Sequence, residues 1–383
     1  IFMSKLMRSV SGIRGVVGDT LTPQVLFSHT KAFLEITNAK KIVIGRDSRP
    51  TGEAIVQMVS GFCRLCGVDV IDAGLATTPS VEILVTELKA DAGIIITASH
   101  NPLEWNALKF LNAKGLFLGP DDVKKLFALA DEGKFSFPDY KEMGSYEFLD
   151  DADSVHIQGT LAIPFVDVEA IRKAKFKVAI DAVNGAGSLI VPRLLEELGC
   201  EVVRVHCSPN GNFPRGAEPL PENLKDLSKA VLEHNCAVGF ALDPDADRCA
   251  IVCGEGRAIG EEYTLAIATE EVLSQKPGNV CINLSTSRMN EDVAEKYGCK
   301  CSRAKVGEIN VSLQMMEESC VIGGEGNGGV ILPALHYGRD SLVAVALVLS
   351  WMAHHNGGPE KFVKENPRDR KSTRLNSSHE CQS

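Results

Sequence analysis

Ala92-Gly93-Ile94-Ile95-Ile96-Thr97-Ala98-Ser99-His100-Asn101-Pro102 is a short, β-branched apolar run that stops on a small hydroxyl residue followed by His, Asn and Pro. Such a run predicts a strand buried on both faces, and Pro102 cannot continue it. Ser99 then lies on the loop at a strand's carboxyl end, where open α/β sheets bind their ligands. Asn101, Pro102 and Glu104 fit the cap, first-turn and capping-box positions of a helical turn whose free N–H groups would face a phosphate. On that reading Ser99 is a nucleophile or phosphate carrier; the plainer reading is a polar turn.

Upstream of this stretch, strands and helices alternate. Helices are predicted over 23–36, 52–66 and after Pro79, and strands over 41–45 and 68–71, with Arg46-Asp47-Ser48-Arg49-Pro50 closing the first strand. Ser11-Gly12-Ile13-Arg14-Gly15 reads as a glycine-flanked loop holding one Arg. Downstream, residues 107–119, with Lys109 and Gly115, read as an edge hairpin, and the polar stretch 131–153 as a linker. The alternation then resumes twice. Strands are predicted at 177–181, 201–205, 237–242 and 249–253, then at 280–284, 300–304 and up to Gly323, with helices between them and a last helix over 340–354. The fold class is therefore α/β, in three consecutive similar domains over 1–150, 151–257 and 258–365. Residues 366–383 carry no apolar periodicity and read as a disordered or non-native tail.

Composition narrows the function. The 383 residues carry 40 basic and 50 acidic side chains, a net charge of −10, with no Lys/Arg tract interleaved with aromatics, which argues against a nucleic-acid partner. The first residues lack the apolar region of a signal peptide and no long apolar run follows, so a cytoplasmic protein with no membrane partner is expected. The 12 cysteines are scattered, several in apolar strand-like runs, as expected of reduced, buried thiols. Cys63/Cys66 and Cys299/Cys301 have no second pair at zinc spacing.

Asp243-Pro244-Asp245-Ala246-Asp247-Arg248 follows one predicted strand and precedes another. In extended chain the three carboxylates would point to one side and repel one another unless a hard cation sat between them. Mg²⁺ suits two or three carboxylates plus a phosphate oxygen. An EF-hand fails at both diagnostic places, with Arg248 at the sixth position and Gly254 at the twelfth. In Gly323-Gly324-Glu325-Gly326-Asn327-Gly328-Gly329, close-set glycines let backbone approach a ligand, and Glu325 and Asn327 offer acceptors and donors for sugar hydroxyls; alone, the run is a flexible turn. Lys305-Val306-Gly307-Glu308 presents a cation beside a helix start, or is simply that helix start.

Together, Thr97 to Pro102, Asp243 to Arg248 and Gly324 to Gly329, in this order and at these separations, closely resemble the motifs of the α-D-phosphohexomutases. Ser11 to Gly15 and Lys305 to Gly307 fit that family's opening and domain-three motifs, and the resemblance spans about residues 4–365. It implies interconversion of hexose 6-phosphates and hexose 1-phosphates, through a phosphoserine and a hexose 1,6-bisphosphate that also serves as activator. Carried over by position, Ser99 is the phosphoserine, and Ser99, Asp243, Asp245 and Asp247 surround Mg²⁺. Arg14, His100, Lys109 and Arg248 surround the phosphoryl group, with Arg14 and Lys109 suited to proton transfer or charge stabilisation. Glu325 and Asn327 hold sugar hydroxyls and Lys305 helps position the substrate.

Two departures stand out. Many members have Ser and His where this chain has Asn327 and Gly329, so a His-based proton transfer there is lost; the glycine-rich version resembles a bacterial and archaeal subgroup assigned to phosphoglucosamine, phosphomannose or phosphoglucose substrates. The family's fourth domain, which clamps the distal phosphate, has no counterpart before Ser383, which implies truncation and weak or absent turnover, with a non-catalytic sugar-phosphate-binding fragment as the alternative. The sequence leaves the choice of hexose and the oligomeric state open.

Overall fold

A computed structural model describes residues 5–367. Its first sheet contains β1 (Met7–Ser9), β2 (Gly12–Val16), β3 (Lys41–Arg46), β4 (Asp69–Leu75), β5 (Ala92–Ile96), β6 (Trp105–Asn112) and β7 (Tyr146–Phe148), in the order β1-β2-β6-β5-β3-β4-β7. The second holds β8 (Lys177–Asp181), β9 (Glu201–Val205), β10 (Val238–Leu242) and β11 (Cys249–Cys253), ordered β11-β10-β8-β9. The third holds β12 (Val280–Asn283), β13 (Cys301–Ala304), β14 (Ile322–Glu325) and β15 (Gly329–Ile331), ordered β13-β12-β14-β15.

The same four-strand unit recurs in each. Three parallel strands, β4-β3-β5, β9-β8-β10 and β13-β12-β14, are each closed by an antiparallel fourth, β6, β11 and β15. The parallel members are buried on both faces, as their unbroken apolar runs require: all five residues of β5 and all five of β10 are buried. The first sheet extends this unit on both edges. The second and third share one continuous core, bridged by the helices Glu262–Gln275 and Ser341–His355. Helix Ser341–His355 is apolar on every side and buried from Ser341 to Met352, the pattern of a helix enclosed by protein. Its few polar groups are partnered, Trp351 Nε1 donating to Glu270 Oε2 at 2.9 Å and Ser350 Oγ to Glu271 Oε1 at 2.8 Å. No described helix is long and apolar enough to cross a membrane.

Several sequence expectations need correction. Ser11 to Gly15 is not a loop but lies largely in β2, and residues 105–112 are not an edge but an interior strand between β2 and β5. The two approach so closely that a Cβ on Gly12 would lie 2.0 Å from the Leu108 carbonyl oxygen, which is why glycine stands there. Residues 131–153 are no free linker: helix Pro120–Glu132 runs into them, and β7 pairs in parallel with β4 as the last strand of the sheet. Gly323 to Gly329 forms the β14–β15 hairpin instead of a flexible turn. Helices Val168–Ala174 and Pro359–Glu365 were not anticipated because seven residues offer too little periodicity. Every described cysteine is free. The tail reading falls almost wholly on residues 368–383, outside the described residues.

Candidate active site

Topology brings the three motifs together. Each follows the third strand of its unit: 97–104 after β5, 243–248 after β10, and 326–328 after β14. These equivalent loops meet at a cavity of about 430 Å³ whose lining includes Arg14, Ser99, His100, Lys109, Arg248 and Glu325.

The Ser99 loop forms no helical turn, so a helix N-terminus does not face the site. Arg49, 1% exposed, shapes the loop instead. Its Nη2 donates to the carbonyl oxygens of Ser99 and Asn101, both at 2.7 Å, and its Nη1 to those of Pro102 at 2.6 Å and Trp105 at 3.1 Å. Asp47 orients the guanidinium through Nε at 3.1 Å and accepts from Thr97 Oγ1 at 2.6 Å. This clamp holds Ser99 at φ +48°, a conformation costly for a non-glycine residue, in the cavity lining with its hydroxyl facing the acidic loop. Arg49→Lys, which cannot serve four carbonyls with one ammonium, is expected to lower phosphoryl transfer about 10²-fold while the protein stays folded; single-turnover phosphorylation of Ser99 measures it.

The acidic residues converge by a turn and not by extended chain. Ala246 takes φ +55°, and the N–H groups of Asp247 and Arg248 each donate to Asp243 Oδ1 at 3.1 Å. One oxygen from each of Asp243, Asp245 and Asp247 then lies within 4.8 Å of the others, all three residues buried. Asp245 Oδ1 and Asp247 Oδ1 are buried with no hydrogen-bond partner. Orphaned hard oxygens at this spacing fit a divalent cation. Burial, then the charges of Asp247 and Asp245, push the Asp243 carboxyl well above its ordinary value. Ser99 Oγ stands 3.2 Å from Asp243 Oδ2.

The cations around this centre come from all three units, Lys109 and Arg14 from the first sheet, Arg248 from the second loop and Arg339 from the segment after β15. Lys109 Nζ is 2.7 Å from Asp245 Oδ2, which also accepts from Thr78 Oγ1 at 2.7 Å. Arg14 Nη1 donates to Asn101 Oδ1 at 2.9 Å. Burial, then the charge of Arg248, draws His100 down to about 4, so its ring is neutral at pH 7; Nδ1 lies 3.4 Å from Ser99 Oγ. Glu325 Oε1 accepts from Asn283 Nδ2 at 2.8 Å and from the Gly307 N–H at 3.2 Å, and Asn327 Nδ2 lies 3.4 Å from Glu325 Oε2. Lys305 does not join them. It is exposed and lines a separate groove with Asn310, Leu313 and Gln314, while Glu308 from the same motif faces the cavity.

Sequence reasoning passed over Arg49, Thr78, Glu308 and Arg339. Asp47 and Arg49 did carry a signal, as charges at the carboxyl end of β3, beside β5. Thr78 and Arg339 carried none, because both act across loops distant in sequence.

A hydroxyl set against an acidic cation site, at the carboxyl ends of parallel strands, is the apparatus of phosphoryl transfer, and fold and cleft place the chain among enzymes of that class. Comparison with known proteins is more specific. Family models described as phosphoglucomutase/phosphomannomutase, alpha/beta/alpha domains I, II and III, match residues 5–137, 155–256 and 260–369. A protein named "Probable phosphoglucosamine mutase" from Methanopyrus kandleri is 35% identical over 361 residues, 93% of this chain and 78% of that protein. A "Phosphoglucomutase/phosphomannomutase" from Thermococcus kodakarensis is 35% identical over 367 residues, 93% of this chain and 79% of its own. The crystal structure of a phosphoglucomutase/phosphomannomutase family protein from Burkholderia thailandensis superposes with a TM-score of 0.80 at 29% identity, over 94% of this chain and 81% of that one. The chain belongs to the phosphoglucomutase/phosphomannomutase family, the α-D-phosphohexomutases.

Proposed function

We propose that this phosphohexomutase converts glucosamine 6-phosphate to glucosamine 1-phosphate through a phosphoryl group carried on Ser99. The observation behind this reading is the 3.2 Å approach of Ser99 Oγ to Asp243 Oδ2, two residues 144 positions apart. The name of the Methanopyrus relative favours glucosamine; that of the Thermococcus relative supports the alternative, glucose and mannose phosphates. The partner is the small sugar phosphate, with hexose 1,6-bisphosphate as activator.

Asp243, Asp245, Asp247 and Ser99 would hold Mg²⁺, whose charge when bound offsets that of the transferring phosphoryl group. The substrate's free hydroxyl oxygen bonds to phosphorus as the bond from phosphorus to Ser99 Oγ breaks. The hydroxyl proton passes to a group in the cleft, and Ser99 Oγ regains one. The bisphosphate turns over within the cavity, Ser99 Oγ bonds to the other phosphorus as that phosphorus–sugar oxygen bond breaks, and the proton Ser99 gives up passes through the cleft to the released sugar oxygen. Arg14, Lys109 and Arg248 supply positive charge around the transfer, and neutral His100 can exchange a hydrogen bond with Ser99. Glu325 and Asn327 hold sugar hydroxyls in either orientation.

Assays with glucosamine, mannose and glucose phosphates, each with its bisphosphate, test the reading together with intact-mass detection of phosphate on Ser99. The highest kcat/KM is expected for glucosamine phosphate; no isomerised product and no phosphate on Ser99 would refute the mechanism. Chelation of divalent cations is expected to lower turnover more than about 10²-fold, with recovery on adding Mg²⁺. Turnover that persists in excess EDTA would rule out the role given to the aspartates.

A further inference from the structure

Arg339 reaches the cleft from the segment after β15, is 8% exposed and lines the cavity. Each nitrogen of its guanidinium meets a different carboxylate. Nη2 is 2.5 Å from Asp247 Oδ2 in the acidic loop, Nη1 is 2.8 Å from Glu325 Oε2 in the sugar-binding hairpin, and Nε is 3.0 Å from Glu308 Oε2 at a helix start. The backbone N–H of Arg339 also donates to Glu308 Oε1 at 3.2 Å. One planar fork therefore fixes three buried acids drawn from a loop, a strand end and a helix start, a task suited to Arg and not to Lys.

The space for this side chain is provided by Gly329. A Cβ built there would lie 2.3 Å from Arg339 Cδ and 2.9 Å from its Cγ. Gly329 is not among the residues at positive φ, so its backbone would accept another residue; the arginine stem is the main obstacle, with Asn327 Oδ1 next at 3.2 Å. Arg339 leaves Asp247 Oδ1 without a hydrogen-bond partner, so the pairing at Oδ2 and a cation at Oδ1 are compatible.

We infer that Arg339 is a positioning residue for the sugar subsite: it holds the Glu325 carboxylate toward the cavity and fixes the sugar hairpin to the acidic loop, through a channel that exists because residue 329 is glycine. This rests on the phosphohexomutase reading and adds to it the residue that orients the sugar ligand. Glu325 supports it independently. Burial would raise its carboxyl, but the charge of Arg339, with Asn283 and the Gly307 N–H, holds it below the usual range. The ionised form, with acceptors only, is the one that takes hydrogen bonds from sugar hydroxyls.

The test measures binding of glucosamine 1-phosphate and, separately, of Mg²⁺ alone, by calorimetry on the full chain. Arg339→Lys is expected to weaken the sugar phosphate about 10- to 100-fold and leave Mg²⁺ affinity within about 2-fold. Arg339→Ala is expected to weaken the sugar phosphate equally and to tighten Mg²⁺ several-fold, because a cation beside the aspartates is gone. Gly329→Ala, with Arg339 intact, should reproduce the loss in sugar-phosphate binding, and adding Gly329→Ala to Arg339→Ala should cost nothing further. General collapse of the cleft would weaken both ligands, which overturns the inference. So would wild-type sugar-phosphate binding in Arg339→Lys, or losses from Gly329→Ala and Arg339→Ala that simply add. A wild-type chain that binds no hexose phosphate defeats the functional reading first, and this inference with it. Should Arg339→Ala fail to fold, Arg339→Lys and Gly329→Ala decide the matter.

Discussion

Ser99→Ala is expected to lower hexose phosphate isomerisation by about 10⁴-fold or more and to leave no phosphate on the protein after incubation with hexose 1,6-bisphosphate. The effect is large because, in the proposed mechanism, the reaction passes through that one oxygen. Thr78 also presents a hydroxyl to the acidic triad, 2.7 Å from Asp245 Oδ2, but it is fully buried and does not line the cavity, so it cannot replace Ser99. Stability should change little, since Arg49 holds the loop through backbone carbonyls that the substitution keeps. Intact mass, thermal unfolding and a coupled assay on one preparation separate lost chemistry from lost fold. A Ser99→Ala protein that still isomerises its substrate within tenfold of wild type would end the phosphoserine mechanism.

Asp340→Ala is expected to be the most destabilising single change in the cleft's support, at about 3–5 kcal/mol. Asp340 is fully buried. Its Oδ2 meets His156 Nε2 at 2.8 Å and His336 Nε2 at 3.0 Å, and its Oδ1 caps helix Ser341–His355 by accepting from the N–H groups of Leu342 at 2.7 Å and Val343 at 3.2 Å. The chain of contacts continues on both sides, from His156 Nδ1 to Ser80 Oγ at 2.8 Å and from His336 Nδ1 to Glu82 Oε2 at 3.3 Å. Residues from all three units are thereby tied together, and loss of the central anion strands two imidazoles and a helix N-terminus. The pH dependence follows from the direction of the shifts. Burial lowers His336, but Asp340 and Glu82 outweigh it and raise it to about 10, so its contribution is complete below the ordinary histidine value of about 6.5 and is lost as pH climbs through 10. Burial raises Asp340, yet His156 and His336 hold it well below the ordinary carboxylate, so its share is lost only as pH falls far into the acid range. The penalty of Asp340→Ala should therefore be largest between about pH 5 and 6.5 and shrink toward pH 10. Urea unfolding of both proteins across that range measures it, and a penalty independent of pH would show that His336 is not charged.

Within the first unit, what could be read from sequence tracked the strength of local patterning. The buried strand before Ser99 and its end before Pro102 were legible because a short apolar run closed by small and polar residues and then Pro leaves little choice. The carboxyl half of β4 was not, because Asp72, Ala73 and Gly74 look like a turn; Asp72 Oδ1 accepts from the Gly74 N–H inside the strand. Nor was the place of β6, whose Lys109 suggested an exposed edge while the side chain in fact crosses to Asp245 and is buried. Position in a sheet is a property of neighbours, and a strand's own residues do not specify them.

The sequence by itself determined the α/β class, the three-fold recurrence of the unit and the family its motifs resemble, and it marked Ser99 and the aspartate triad as candidates for the chemistry. Only the tertiary structure decided that each loop sits after the third strand of an equivalent sheet, that Arg49 and not a helix end shapes the serine loop, that Lys305 stands apart, and that Arg339 joins the acidic loop to the β14–β15 hairpin. The reason is physical: periodicity and capping are local and leave their mark on neighbouring residues. A guanidinium that satisfies carbonyls and carboxylates from several loops acts across space, and nothing in the residues beside it records what it will meet.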